Sequence, residues 1–114
     1  MSNIRVYPEC KEPVADIVAK ATEVGLDQID YSKGYSLRKR SSKRDAGYPE
    51  GFLALRDGYY YVVGGKQGDE LYVWIYGVRY NGEWFKTSPV INVIKKDNGF
   101  ILETWNSFYD MDEL

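Results

Sequence analysis

Two groups of residues carry most of the chemistry available to this chain. The first is a run of cations. Lys33, Arg38, Lys39, Arg40, Lys43 and Arg44 fall within residues 33–44, with no acid among them. The other 102 residues hold nine basic and seventeen acidic side chains. The net charge of −2 therefore conceals an acidic domain with one basic insert. Arg38, Lys39, Arg40, Lys43 and Arg44, flanked by Tyr35 and Tyr48, suit a phosphate backbone or an acidic protein surface, or else a solvated loop. Phosphate contact alone gives salt-dependent affinity without sequence choice, and a dedicated nucleic-acid binder shows a broader basic footprint. The second group is aromatic. Tyr72, Trp74, Tyr76 and Tyr80 alternate along one segment and point away from Leu71, Val73 and Ile75. Such a face is either packed under other elements or left open. Left open, it is a stacking platform for a base, a nucleotide-like ligand or a partner's side chains. Eleven tyrosines in 114 residues exceed what a core alone needs, and tyrosine and tryptophan are enriched at protein interfaces.

Catalytic stock is thin. The chain has no histidine and one cysteine, Cys10. That removes His-dependent triads, His-containing zinc sites and an internal disulfide. Lys11 alone is a poor activator for the Cys10 thiol. Asp69-Glu70 reads as a solvated hairpin tip. No P-loop, GxGxxG unit, GxSxG elbow or metal-ligand spacing is present, and Gly64-Gly65-Lys66-Gln67-Gly68 reads as a hairpin loop. A non-enzymatic protein with no cofactor and no metal is expected. There is no apolar run long enough for a membrane span and no secretory pattern. The expected setting is therefore cytoplasmic, without a membrane partner.

The elements that position these groups follow from periodicity. Ile4, Val6 and Tyr7 suit a short edge strand stopped by Pro8. Pro13 suits a first helical position. Val14, Ile17, Val18, Ala21 and Val24 follow one buried stripe, and Gly25 sits where a left-handed cap ends a helix. Leu26 and Ile29 fold back onto the same core. Residues 31–51 read as a long irregular loop holding the basic cluster, with room for one helical turn near Leu37–Lys43. From Phe52 the chain reads as strands joined by turns at Asp57-Gly58, Asn81-Gly82 and Asp97-Asn98-Gly99. Asn81-Gly82 has the signature of a type I′ hairpin. Asp110-Met111-Asp112-Glu113-Leu114 reads as a solvated tail. The expected fold is α+β, a single domain over 1–114. An N-terminal helix at about 13–24 packs on a strongly bent antiparallel sheet of five or six strands from about 52–111. That sheet is either open or closed as an SH3-like small barrel.

The C-terminal half also carries a pattern. Glu83-Trp84-Phe85-Lys86-Thr87-Ser88-Pro89-Val90-Ile91-Asn92-Val93 is followed by Asn98-Gly99-Phe100-Ile101-Leu102-Glu103-Thr104-Trp105-Asn106-Ser107-Phe108-Tyr109. This "TSPV … ET.NS.Y" arrangement, about a quarter of the chain, resembles small uncharacterised bacteriophage proteins. The resemblance implies a β-rich accessory factor of a phage or mobile element. It would work in a bacterial host cytoplasm and bind a host or defence protein, and it transfers no catalytic residue. Physically, Thr87 and Ser88 before Pro89, with Thr104, Asn106 and Ser107, suit polar corners that bond nearby backbone at strand breaks. Two binding surfaces remain open from sequence: the basic segment and the aromatic face around Tyr72, Trp74 and Tyr76. Nucleic acid is the alternative partner for the first, and a nucleotide-like ligand for the second.

Overall fold

The computed structural model describes residues 3–43, 52–79 and 81–114, with the backbone alone for 52–54. The apolar stripe near the N-terminus forms helix α1, Val14–Val24. Pro13 stands just before it, at φ −57° and ψ 130°, as the extended residue that lets the chain enter the helix. Ile17 and Ala21 are fully buried. Val14, expected in the same stripe, is 57% exposed. Gly25 takes the left-handed cap at φ 96° and its N–H donates to the Ala21 and Thr22 carbonyls. A short 3₁₀ turn, Leu26–Gln28, follows. Leu26 and Ile29 return to the core.

Eight strands then appear among the described residues: β1 Tyr35–Ser42, β2 Phe52–Leu55, β3 Tyr61–Gln67, β4 Glu70–Val78, β5 Trp84–Lys86, β6 Val90–Lys96, β7 Gly99–Thr104 and β8 Ser107–Glu113. They make two sheets rather than one bent sheet of five or six strands. One has the order β2-β1-β8-β7-β6 and the other β3-β4-β5. Neither closes on itself, so the barrel alternative is not realised. All strand pairs are antiparallel. The N-terminal segment adds one parallel bridge, Val6 to Val62, with the Val62 N–H donating to the Arg5 carbonyl at 2.7 Å. Helix α1 packs on β3, β4 and β6, and the core lies between it and the inner faces of the sheets.

The largest departure from expectation is β1. The segment expected as a loop, or as a helical turn at 37–43, is a strand inside the five-stranded sheet, paired with β2 on one side and β8 on the other. The physical reason lies far along the chain. The acidic end expected to be a tail is β8, and it sets Asp110 opposite Arg38 and Asp112 opposite Ser36. Opposite charges across a ladder offset the repulsion that would keep the cations apart in isolation. Met111, between the two acids, is fully buried. The part of the expected loop over 44–51 lies outside the described residues.

Two glycine-rich segments also differ. Gly64 and Gly65 lie within β3, not in a loop, and the turn is carried by Gly68 at φ 65°. The Asn81-Gly82 turn is not type I′, which needs positive φ at both positions. Gly82 alone has it, at 88°. The Gly82 N–H donates to the Arg79 carbonyl, and the Arg79 N–H to the Glu83 carbonyl, both at 2.9 Å. Asn81 contributes its side chain instead, its Oδ1 accepting from the Glu83 N–H at 3.0 Å. Gly82→Val should cost about 1 kcal/mol. The cost is conformational, since nothing lies within 4 Å of an added Cβ there. An unchanged melting temperature would show that this φ is not required.

The polar corners form through Thr87, Ser88 and Thr104 and join the two sheets, whereas Asn106, expected to bond in the same way, keeps a buried Oδ1 without a hydrogen-bond partner among the described residues. Thr87 Oγ1 accepts from the Ile75 N–H at 3.1 Å. Ser88 Oγ accepts from the Asn106 N–H at 3.3 Å. Thr104 Oγ1 accepts from the Ser107 N–H and donates to the Ser107 carbonyl. Pro89, which has no N–H, offers its carbonyl to the Trp105 N–H at 3.0 Å.

Candidate functional site

The basic strand is largely answered from within the molecule. Lys43 Nζ lies 2.7 Å from Glu103 Oε2, donates to the Thr104 carbonyl at 2.9 Å and sits over the Phe108 ring. Arg40 approaches Asp110 at 3.7 Å. Lys96 of β6 bridges Asp110 and Asp112 at 2.8 and 2.7 Å. Lys39 is half-buried opposite Tyr109. Arg38 is exposed beside Asp110 in register. The outer face of this sheet is thus a mosaic of alternating charge rather than a positive field. Tyr35, expected to flank a binding loop, is a core residue, 2% exposed, with its ring against Tyr60 and Phe100. Arg44 and Tyr48 lie outside the described residues.

The mosaic has a pH consequence. The hydrogen bond from Lys96 holds Asp110 below the usual carboxylate range, against the opposing effect of burial, and the charges of Lys96, Arg40 and Arg38 add to it. A carboxylate depressed in the folded state stabilises it above the ordinary pKa. That contribution is lost as pH falls through the folded value. The melting temperature should therefore drop between pH 5 and pH 3, and Asp110→Asn should flatten the drop. Equal slopes in the two proteins would show that Asp110 does not carry it.

The aromatic residues behave differently. Helix α1 covers one face of the three-stranded sheet, where Val62, Val73 and Ile75 are buried. Gly64 makes that approach possible, since an added Cβ would come within 2.7 Å of Ile17 Cγ1. The side chains of alternate parity are left on the opposite face. There Tyr61 pairs with Tyr76, Val63 with Trp74 and Gly65 with Tyr72, while β5 adds Lys86 and Trp84. Gly65 is the complementary device: an added Cβ would meet the Trp74 ring at 2.9 Å, so its missing side chain lets the indole lie flat on the sheet.

Seven rings form one surface. Tyr7 meets Tyr61 and Tyr76 edge to face at 5.6 and 5.4 Å. Tyr76 stacks on Trp84 at 4.7 Å, with 20° between planes. Tyr72 meets Trp105, from the β7–β8 turn, at 4.7 Å. Trp74 lies between these groups, with the Lys86 ammonium 5.4 Å from its ring centre. Arg5 lies over Tyr61 at 6.0 Å. None of the seven is buried; Trp84 is 49% and Trp105 42% exposed. Glu70 accepts from the Tyr72 hydroxyl at 2.8 Å and Glu9 from the Tyr7 hydroxyl at 3.2 Å. Two cations and two carboxylates leave the surface close to neutral. Hydrogen bonding to Glu70 pushes the Tyr72 phenol up, and desolvation, with Glu9, pushes up that of Tyr7.

The structure thus brings Tyr72, Trp74 and Tyr76 together as expected. It adds Tyr7, Tyr61, Trp84, Trp105, Arg5 and Lys86. Tyr61 joins the face through its pairing with Tyr76, while Tyr7 and Trp105 reach it through a bridge and a turn that leave no periodic signal. Tyr60, beside Tyr61 in the sequence, is wholly buried and donates to the Asp30 and Lys33 carbonyls. Tyr80 lies outside the described residues. Among the described residues, no three His, Cys, Asp or Glu side chains cluster as a metal site would require. Nor, among the described residues, is any helix long and apolar enough to cross a membrane. In comparisons with known proteins, no family model, curated protein or solved structure matches this chain.

Proposed function

We propose that this chain is a non-enzymatic binding protein that docks a partner protein through the aromatic face of the three-stranded sheet. The carrying observation is the row of half-exposed rings from Tyr7 to Trp105, turned away from the core helix. Rigid aromatic side chains with cations beside them are the usual anchors of protein interfaces, because they bury large area at little entropic cost. Near-neutrality favours a protein over a nucleic acid, whose phosphates call for an excess of positive charge. The basic strand supports the same choice, since Arg40 and Lys43 are engaged by Asp110 and Glu103. Lys86 and Arg5 sit on ring faces, so the fitting partner presents an apolar centre bordered by carboxylates. Together with the TSPV pattern, this makes the chain an accessory factor of a phage or mobile element that occupies a host or defence protein. The origin rests on that resemblance.

The test is affinity capture from bacterial lysate, with and without nuclease, using the parent, Trp74→Ala and an Arg40→Gln/Lys43→Gln pair. A protein retained by the parent and the charge variant, lost with Trp74→Ala and indifferent to nuclease supports the reading. Capture that disappears with nuclease or with the charge variant would overturn it.

A further inference from the structure

We infer that the free edge of β5 pairs with the same edge of a second copy of this chain, joining two three-stranded sheets into one of six strands. Strand β5 is terminal in its sheet, and no described strand lies beyond it. Its hydrogen-bonding phase follows from its flanks. The Arg79 N–H donates to the Glu83 carbonyl, and the Thr87 N–H to the Ile75 carbonyl. Residues 83, 85 and 87 therefore turn their backbone groups toward β4, and Trp84 and Lys86 turn theirs outward. A two-fold axis beside Phe85 then sets Trp84 opposite the partner's Lys86, and Lys86 opposite the partner's Trp84. Each such pair exchanges two N–H···O bonds, and Phe85 meets the partner's Phe85 at the closer spacing on the other face.

The side chains suit this register. Trp84 is half-exposed, with its ring stacked on Tyr76. The Lys86 ammonium leans inward over Trp74, so it does not guard the edge as edge lysines commonly do. No like charges meet across the axis, because each lysine faces a tryptophan. The aromatic faces of the two copies become continuous, which doubles the platform. Three residues per copy make a small contact, so self-association is weak, with a midpoint between about 10 µM and 1 mM.

Sedimentation equilibrium from about 5 µM to 1 mM tests this without any other partner. The parent should pass from monomer to dimer. W84K should dimerise at least about tenfold more weakly, since it sets two ammonium groups opposite each other on both sides of the axis. W84K/K86E should restore the dimer, a rescue specific to the 84-to-86 register. Lys86→Pro removes an outward N–H, which edge strands tolerate, together with the ammonium over Trp74, and should be a folded monomer. A parent that stays monomeric to 1 mM overturns the inference. So does an undiminished W84K dimer, or a double variant that stays monomeric.

Discussion

Ile17→Asp should abolish cooperative folding. Ile17 is 0% exposed and lies in the core formed with Val62, Val73 and Ile75. Gly64, on the facing strand, lacks a side chain where that isoleucine sits, so no polar group is on hand to receive a carboxylate. An unpaired buried charge costs several kcal/mol. A domain of this size holds roughly 5–15 kcal/mol in total. Val14→Asp, one turn earlier on the same helix, should change stability by less than about 0.5 kcal/mol, because that site is 57% exposed. Thermal or urea denaturation of both variants checks the pair. A folded Ile17→Asp protein with parental stability would mean that α1 does not bury this face.

Gly99→Ala should be nearly as damaging, although it adds one carbon. Gly99 opens β7 at φ 153°, directly opposite Asp112 of β8. An added Cβ would overlap the Met111 carbonyl oxygen and stand 3.0 Å from the Asp112 Cα. Both obstacles are backbone, so relief requires moving β8, which also pairs with β1. A loss of about 3 kcal/mol or more is expected, against about 1 kcal/mol for Gly82→Val, where the space is open. Chemical denaturation of the two variants side by side provides the measurement. Equal, small losses would show that the β7–β8 pairing is looser than the geometry states.

What was legible in the sequence follows the range of the interactions. The helix, its Gly25 cap and the Thr104–Ser107 corner depend on neighbours a few residues away, and periodicity or turn chemistry exposes them. Thr87 and Ser88 were legible as polar residues at a strand break before Pro89, but their partners Ile75 and Asn106 were not. Strand β1 was not legible, because six cations without an acid read as a solvated loop. Its ladder partners stand at 110 and 112, more than seventy residues on. The two sheets were equally hidden: nothing local states that β8 returns to β1 and not to β5. The aromatic face was half legible. Strand parity put Tyr72, Trp74 and Tyr76 on one side, but whether a helix covered them depended on Gly64, which lets Ile17 in on the other side. Tyr35 misled because a tyrosine beside a basic run looks like a binding residue, whereas strand alternation turns it inward against Tyr60.

The account's central claim is that the rings of the three-stranded sheet, and not the cations of β1 and the adjoining Lys43, hold the partner. Its most direct test is calorimetric titration of the captured, purified partner. The parent is compared with Tyr72→Ala/Trp74→Ala and with Arg40→Gln/Lys43→Gln, each first shown to be folded. The account predicts binding weakened by about 30-fold or more for the ring variant, as loss of an interface anchor does. The charge variant should stay within about threefold of the parent, as altered rim charges do. Parental affinity in the ring variant, or loss confined to the charge variant, would contradict it.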